Sequence, residues 1–440
     1  MRIVCTATSI LLLLMGCSTD SIRAPIDTQY AYTTNNNAIT IVRYIGAGSD
    51  ATVPHKINGL SVTRIGSEAF AFCTNITNIT FPNSVTSIEN VFRGCAHLTK
   101  ITVEAGNSVY QSMDGVLYNK NLTTLLHYPQ CKAGPYTMPN SVTSLGEDEF
   151  WYCTRLTAIT VNNNNSAYRS QDGVLYNKSL TSLIKCPEGS KNGRIVVPDG
   201  VDRIENGALF GCTNLTNISI PNSVTSIGSI AFVACSNLTS ITIPNNVTNI
   251  GMWAFMDCTS LTNFTIPPHL TNYYRQCFGS CIALTAIAVD ANNPSFSSVE
   301  GILFDKSQKT LIEFPGGKTT IPDGFTSIGS YAFSYCDSLS RVTIPNSVTT
   351  IGAFAFFGCS NLTSITIPTS VTSIEHEAFA NCKNLTKIYF LGNAPKIGED
   401  IFMDFPNSTP VTVYYQPGTT GWGQKFGGRP TAVWTGAPSK

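Results

Sequence analysis

Charged residues are scarce in this chain. Only 12% of its 440 residues are charged, about half the usual share, and 27 basic residues balance 27 acidic ones to a formal net charge of zero. A nucleic-acid-binding surface needs clustered cationic side chains against the phosphates, so nucleic acid is not an expected partner. The surface must be covered by Asn, Ser, Thr and Gly instead, and the hydrophobic content of 42% favours a packed fold over disorder.

Histidines are few, and long apolar runs are absent beyond the N-terminal segment. None of the histidines stands in a nucleophile motif or near a recurrent carboxylate. They are His55, His97, His127, His269 and His376. Because no set of catalytic or ligating groups converges, we expect no enzyme activity, no metal and no cofactor.

The N-terminal segment has the features of an export signal. Residues 3–15 are mostly apolar, but this stretch is too short to span a bilayer as a stable helix. The tetrapeptide Leu14-Met15-Gly16-Cys17 resembles the bacterial lipoprotein signal, although Met15 is bulkier than usual there. The resemblance implies cleavage before Cys17 and lipidation of its thiol. The chain is then exported and lipid-anchored to the bacterial membrane, at the outer membrane or cell surface. The alternative is an ordinary signal peptide with a chance cysteine.

An internal repeat of 23 residues organises most of the chain, which argues for a solenoid before any separate domains. Cysteines mark it at constant spacing, with altered spacing in earlier copies. The regularly spaced ones are Cys212, Cys235, Cys258 and Cys281, followed by Cys336, Cys359 and Cys382.

Each unit can be interpreted physically from the copy that ends at Cys258. Ile241 and Ile243 alternate with polar residues, which predicts a half-buried strand that Pro244 ends. Ala254 and Phe255 are expected to be buried on a single helical turn, and Cys258 closes the coil. No single unit can bury these residues alone, so stacked copies must share one continuous core.

This pattern resembles the BspA-like, treponemal-type leucine-rich repeats of surface lipoproteins. The resemblance implies a right-handed solenoid that is mainly β with short helical turns, with a parallel strand sheet on the concave face. Residues 1–16 are then the signal peptide and 17–37 the lipidated cysteine with a tether. Residues 38–392 are the repeat array with its N-terminal cap, and 393–440 the C-terminal cap.

Three copies carry an insert of a second type in which an acidic residue and a glycine separate two apolar-aromatic segments. This pairing indicates a hairpin turn. The turns are Asp114-Gly115, Asp172-Gly173 and Glu300-Gly301. A calcium site at Asp114 or Asp172 is the alternative, but no run of spaced carboxylates surrounds either residue.

The fifteen cysteines suggest disulfides in an exported protein, but the repeat spacing argues against them for ten. Residues at one repeat position stack about 4.8 Å apart and point the same way, whereas disulfides need facing Cβ atoms about 3.8 Å apart. We therefore expect a ladder of buried thiols. Cys277 occupies the usual Ala position and should lie in the core, while Cys131 and Cys186 are left undecided.

One exposed position of the predicted strand recurs along the array, mostly as Thr. A solvent-facing strand favours Thr in any case, so a polar contact face is the functional alternative. The candidate ligand-binding residues on this face are Ser240, Thr242, Asn263, Thr265, Arg341 and Tyr389.

The function that the resemblance implies is adhesion: binding host extracellular-matrix proteins, or the surface proteins of other cells, by the concave face. A structural or scaffolding envelope lipoprotein is the second possibility. A glycan-binding surface protein is the third, and it would require exposed aromatic platforms, for which Tyr273, Tyr274 and Tyr389 are modest hints. The membrane is expected as a partner through the lipid anchor only.

Overall fold

A computed structural model describes residues 29–89, 91–146, 149–273, 276–403 and 410–436. Within these ranges the chain is a series of stacked β-coils that contains no helix. Contacts divide the coils into two units. One runs to Lys191 and includes Leu209–Cys212, and the other comprises Asn192–Ala208 and the chain from Thr213 onward. The predicted leucine-rich-repeat solenoid is confirmed, and Cys17 lies outside the described residues.

The strands of the first unit run from the N-terminal hairpin to the second insert. In chain order they are β1 (Tyr30–Asn35), β2 (Ala38–Tyr44), β3 (Asp50–Thr52), β4 (Lys56–Ile57), β5 (Leu60–Ile65), β6 (Asn78–Phe81), β7 (Ser87–Ile88), β8 (Lys100–Val103), β9 (Tyr110–Met113), β10 (Val116–Asn119), β11 (Thr124–His127), β12 (Gly134–Met138), β13 (Ser144–Leu145), β14 (Leu156–Val161), β15 (Tyr168–Gln171), β16 (Val174–Asn177) and β17 (Ser182–Lys185).

The strands of the second unit include the third insert and the C-terminal end. They are β18 (Arg194–Val196), β19 (Arg203–Ile204), β20 (Asn217–Ser219), β21 (Ser226–Ile227), β22 (Asn249–Ile250), β23 (Asn263–Ile266), β24 (Asn272–Tyr273), β25 (Ala286–Val289), β26 (Phe296–Val299), β27 (Ile302–Asp305), β28 (Thr310–Glu313), β29 (Ser327–Ile328), β30 (Arg341–Thr343), β31 (Thr350–Ile351), β32 (Ser364–Ile367), β33 (Ser373–Ile374), β34 (Lys387–Phe390), β35 (Lys396–Ile397), β36 (Thr412–Tyr415), β37 (Lys425–Phe426) and β38 (Arg429–Val433).

The coils contribute strands of two kinds. The front strands carry the Ile-x-Ile pattern and pair in parallel in the orders β3-β6-β8, β12-β14, β18-β20, β23-β25 and β30-β32-β34-β36-β38. The back strands follow the proline of each coil, are mostly two residues long, and pair in parallel as β19-β21-β22-β24 and β29-β31-β33-β35. Alternate side chains of a strand face opposite sides. On β25, Ile287 and Val289 face the core, while Ala286 and Ala288 face outward.

Columns of stacked aromatic rings form the core between front and back strands. In the second unit Phe356 lies between Phe333 and Phe379, with ring centroids 4.7 Å and 5.4 Å away, and Phe402 continues the column at 5.9 Å from Phe379. All four rings are buried. Each coil therefore supplies one ring to a core that only its neighbours complete, as the repeat pattern predicts.

The Ala-Phe segment differs from the prediction of a helical turn. It is a run of hydrogen-bonded turns, because two residues of each coil have left-handed backbone conformations: Trp253 with φ 57° and Asp257 with φ 58° in the coil of Phe255. An α-helix needs consecutive residues near φ −63°, so these two positions interrupt it. Glycine takes the second position in other coils, for example Gly358.

The N-terminal hairpin begins earlier than the sequence suggests. β1 lies within the segment predicted to be a tether, residues 17–37, and it pairs antiparallel with β2. Tyr30 and Tyr44 are buried, and the Tyr44 ring stacks on Phe70 with centroids 5.5 Å apart. The hairpin thus covers the apolar end of the first coil, and β1 belongs to the cap because Tyr30 and Tyr32 are part of that core.

Exposed face of the front strands as the candidate functional site

The outward face of the front strands carries its side chains in register rows. Thr52, Thr80 and Thr102 are partners across β3, β6 and β8, and Thr343 and Thr366 are partners across β30 and β32. A second row lies two residues earlier on each strand and faces the same side. The predicted row is therefore present on the paired front strands, mostly as Thr, but Ala288 holds this position on β25 and Val196 on β18.

The four central candidates do not share one sheet. Asn263 and Thr265 are exposed on β23, in register with Ala286 and Ala288 of β25. Ser240 and Thr242 are exposed as well, but their segment is not a strand. Among the described residues, no backbone hydrogen bond joins residues 240–243 to β20 or β23.

The other two candidates lie in the long front sheet near the C-terminal end. Arg341 is exposed on β30 and in register with Ser364, which is in register with Lys387 on β34. Tyr389 follows on β34, is partly exposed, and is the register partner of Thr366. Arg341 and Tyr389 therefore belong to one surface, and the central four belong to another part of the same strand series.

The inserts explain three interruptions of the front strands. The predicted hairpins are confirmed, since Asp114 and Gly115 both have positive φ and Val116 pairs with Met113 across the turn. The carbonyl of Gly115 accepts a hydrogen bond from the Ile101 amide at 2.9 Å, so the hairpin occupies the free edge of β8. Gly173 and Gly301 accept equivalent bonds from Ile159 and Ile287.

Two aromatic residues of this face were missed in the sequence. Tyr414 is the register partner of Tyr389 on β36, with ring centroids 5.2 Å apart, and Trp434 lies 4.9 Å from Tyr389. Both stand in the C-terminal segment, which has lost the 23-residue period. The alternation in Val411-Thr-Val413-Tyr-Tyr415 was the available signal, because it continues the front-strand pattern for one more coil.

The family profile of the BspA-type leucine-rich repeat region, which spans six copies, matches residues 63–192, 185–310 and 316–416. These matches cover most of the chain. The chain belongs to the BspA-type leucine-rich repeat family. The resemblance in the repeat units is thereby confirmed. No curated protein matches the chain.

Several solved structures of bacterial leucine-rich repeat proteins are similar to this BspA-type chain. A leucine-rich cell surface protein of Faecalibacterium prausnitzii is 22% identical, with 96% of this chain and 97% of that chain covered and a TM-score of 0.39. The pneumococcal vaccine antigen PcpA is 20% identical over 88% and 81%, with a TM-score of 0.42. A leucine-rich repeat protein of Eubacterium ventriosum is 22% identical over 81% and 93%, with a TM-score of 0.43.

The cysteines of the BspA-type coils are free thiols throughout the described residues, and nearly all the ladder positions are buried. Each of several ladder thiols donates to the carbonyl of the phenylalanine one coil earlier. The distances are 3.2 Å from Cys258 to Phe232, 3.1 Å from Cys281 to Phe255, 3.0 Å from Cys359 to Phe333 and 3.0 Å from Cys382 to Phe356. Burial raises the pKa of the Cys258, Cys281 and Cys359 thiols, so these three stay protonated donors.

The undecided cysteines are now placed. Cys186 is buried and free, and its carbonyl accepts from the Cys212 thiol at 3.6 Å. Cys131 is free and partly exposed, and Arg155 donates to its sulfur at 3.6 Å. Cys277 lies in the core, as predicted.

The three inserts place a titratable side chain at the same position, two residues before proline. They are His127, Lys185 and Glu313. Burial lowers the pKa of His127 to about 4. Lys185 Nζ lies 3.8 Å from Glu188 Oε1, and burial raises the pKa of Glu188 to about 7 against the opposing effect of Lys185. Glu313, which is buried, accepts from the hydroxyl of the partly exposed Tyr273 at 3.1 Å, and Tyr274 lies outside the described residues.

The residues that the structure describes contain no group of three His, Cys, Asp or Glu side chains placed to hold a metal ion. Asp114 and Asp172 serve the hairpin turns. In the same ranges, no helix has the length and apolar character needed to cross a membrane.

Proposed function

We propose that this chain is an exported, lipid-anchored surface protein that binds protein ligands with the outward face of its front strands. The ligands are extracellular-matrix proteins of a host or proteins on other cells, and the chain has no catalytic role. The observation that carries this proposal is the set of register rows on that face, where exposed polar side chains vary while the alternate positions stay apolar and buried.

The chemistry of this face supports shape and hydrogen bonding as the basis of affinity. Its central side chains are Ser240, Thr242, Asn263 and Thr265, none of them charged. Long-range steering therefore contributes little, and many small contacts must add up. Arg341 and Tyr389 are the side chains of the type that dominates interfaces energetically.

The experiment is a binding screen of the purified chain against matrix proteins, followed by Thr242→Trp with Thr265→Trp. We expect the two bulky rings to weaken binding of a confirmed protein ligand without unfolding the chain. The matched control is Asn245→Trp with His269→Trp, at exposed turn positions of the same coils. Equal affinity of the Thr242/Thr265 variant and the parent would place the ligand elsewhere, and the insert hairpins near Tyr118 and Tyr176 come next.

The anchor is tested separately at Cys17. Labelled fatty acid should enter the parent chain and the control Cys5→Ser, but not Cys17→Ser. Cys17 is the cysteine that ends the lipoprotein-like tetrapeptide, whereas Cys5 lies within the apolar segment before it. Fatty acid in the Cys17→Ser chain would refute lipidation there. A chain that is anchored but binds no protein in the screen supports the scaffolding alternative.

A further inference from the structure

Three aromatic side chains form a row on the outward face at the C-terminal end of the front strands. Tyr389 and Tyr414 stack with their planes 24° apart, and Trp434 meets Tyr389 at 50°. All three are partly exposed. In the described residues, the indole N–H of Trp434 has no hydrogen-bond acceptor, so the aromatic row keeps a free donor at its edge.

The core does not require these rings. Ile388, Phe390 and Val413 fill the inward positions of the same strands and are buried. In the other coils the position of Tyr389 is mostly Thr, with Ser219, Ala288 and Val196 as exceptions, so no other coil before it places an aromatic ring there. Large rings that collect on an outward face, where hydration of their surface is unfavourable, mark a contact surface.

A cationic polar row runs beside the aromatic row. Its members lie two residues earlier on successive strands, about 7 Å away along each strand. They are Arg341, Ser364, Lys387 and Thr412, in register across β30, β32, β34 and β36.

The charge of this surface has one sign. Taken together, the six strands of this sheet contain basic residues but no Asp or Glu. They are β30, β32, β34, β36, β37 and β38. Arg341 and Lys387 are exposed, and neither forms an ion pair with a described residue. The whole chain has 27 basic and 27 acidic residues, so the basic residues of this sheet are a local excess that acidic residues elsewhere in the chain offset.

We propose that the aromatic row and the cationic row together bind an acidic oligosaccharide. A pyranose ring presents a face of C–H groups that packs on the electron-rich face of an aromatic ring. Its hydroxyl groups are matched by Ser364, Thr412 and the indole N–H, and a carboxylate or sulfate of the sugar pairs with Lys387. Because the Tyr389 and Tyr414 rings stack on each other at 5.2 Å, a sugar packs on the part of this aromatic cluster that stays exposed, and Lys387 selects acidic sugars.

This ligand class fits better than its competitors. A nucleic acid would also stack, but its phosphates need several cations along the path, and among the described residues the row beside the rings supplies two, Arg341 and Lys387. A protein ligand that used Tyr389 would bury it further on binding, and the titrations below separate that outcome from sugar binding. The inference deepens the proposed surface function, and it rests on that function only for the accessibility of the front strands.

The test uses calorimetric titration of the full chain with three hexasaccharides: one of hyaluronan, one of heparin, and neutral cellohexaose. We expect the two acidic probes to bind and cellohexaose to bind more weakly. Tyr414→Ala and Trp434→Ala should each lower the affinity for the acidic probes about fivefold to tenfold, from the loss of one ring contact. Lys387→Gln should reduce the preference for acidic over neutral sugar.

Matched controls separate the site from general effects. Tyr331→Ala removes a partly exposed ring that stacks on Phe354 at 4.7 Å away from this face, and Lys396→Gln removes an exposed lysine on a back strand. Both should bind the sugars as the parent does. Circular dichroism of each variant against the parent checks the fold. Should the alanine variants unfold, Lys387→Gln decides, because it should lose the preference for acidic over neutral sugar.

Several outcomes overturn the proposal. These are no binding of either acidic hexasaccharide at millimolar concentration, parental affinity in Tyr414→Ala, or tighter binding of an oligothymidylate than of any sugar. The failure of the protein-binding proposal looks different, since Thr242→Trp with Thr265→Trp alters protein ligands and should leave the sugar titration unchanged.

Discussion

The Cys258 thiol donates to the carbonyl oxygen of Phe232, 26 residues earlier, at 3.2 Å. The Cys258 amide binds the carbonyl of Phe255 within its own coil. One cysteine thus joins two successive coils at the carbonyls of their core phenylalanines. The Phe232 carbonyl also accepts from the Cys235 amide at 3.1 Å, so the thiol supplies its second hydrogen bond, which another small buried residue without a donor would not.

The first prediction compares the loss of the cysteine side chain with the loss of the phenylalanine ring in the same coil. Cys258→Ala should cost about 1 kcal/mol, because one weak hydrogen bond is lost and the cavity is small. Phe255→Ala should cost about 3–5 kcal/mol, since its ring packs between Phe232 and Phe278. Urea unfolding measures both. Hydrogen exchange in Phe255→Ala should loosen the adjoining coils, and uniform loosening of the whole chain would contradict nearest-neighbour coupling.

The second prediction concerns alkylation of the thiols. In native buffer Cys131 should react first because it is partly exposed, whereas Cys258 and Cys281 should react only after denaturation. Burial and a raised pKa both keep the ladder thiols from forming thiolate. Mass spectrometry after alkylation gives the order. Labelling of Cys258 as fast as Cys131 would show that the ladder opens in the folded state.

The third prediction is a loss of stability in mild acid that depends on His127. Its Nε2 is enclosed without a partner, its ring lies 4.7 Å from Phe92, and burial lowers its pKa from 6.5 to about 4. The unfolded chain therefore binds more protons in this window. Stability should fall as the pH drops from 6.5 towards 4, by on the order of 2 kcal/mol, and change no further below the folded-state pKa.

The comparison that tests it is the parent against His127→Leu, with the free energy of unfolding measured from pH 7 to pH 4. The difference in free energy of unfolding between the parent and His127→Leu should be largest near pH 4 and shrink towards neutral pH. The parent curve alone is not sufficient because Glu188 acts oppositely. Its raised pKa means that the folded state binds more protons, so stability is lost as the pH rises from 4.5 through about 7. Parallel curves for the two chains would refute the role of His127.

The fourth prediction uses two glycines with similar backbone angles. Gly115 has φ +79°, and an added Cβ would lie 3.3 Å from Lys100 Cα, whereas Gly59 has φ +82° and open space around it. Gly59→Ala should cost about 1 kcal/mol from the left-handed backbone alone. Gly115→Ala should cost more, because the insert hairpin must also move off β8. Thermal unfolding measures both, and equal costs would mean that the hairpin does not press on that strand.

The sequence predicted the coil well because its 23-residue period follows from the positions that each coil must bury. Core positions recur at fixed intervals, so the buried residues, the strand ends at proline and the insert hairpins all follow from one unit. The residues around Trp253 and Asp257 were predicted less well. Their left-handed conformations depend on hydrogen bonds to adjacent coils, such as the Asp257 amide to the Gly279 carbonyl at 2.9 Å.

Strand pairing on the front face could not be predicted from local sequence. Cys235–Pro244 and Cys359–Pro368 are identical over ten residues. The second copy contains β32, which is paired on both sides by β30 and β34, while the first contains no strand. Thr366 is buried beside Tyr389, whereas Thr242, its equivalent, is exposed. Whether the adjacent coils supply strands to pair with therefore decides the local structure, because strand formation in general depends on neighbouring strands more than on local sequence.

The candidate site was predicted in part for the same reason. Repeat positions identified the outward face and named Arg341 and Tyr389, but the partners of Tyr389 come from a segment without the repeat. Tyr414 and Trp434 meet it only because β36 and β38 extend the sheet beyond the last regular coil. Sequence spacing carries no information about such a contact once the period ends.

The missing front-side hydrogen bonds at residues 240–243 have a mechanical consequence. A surface protein held at one end and attached to a ligand elsewhere carries tension along the stack of coils. Where front strands are paired, as from β30 to β36, that tension is shared among parallel backbone bonds. At residues 240–243 the front side offers none. The load there falls on the back-strand bridge from Asn249 to Ser226 and on the backbone bonds of the turns, such as the Phe232 amide to the Ala254 carbonyl at 2.7 Å. Extension under force should begin at this coil, which lets the chain lengthen while the aromatic row and its neighbours keep their geometry.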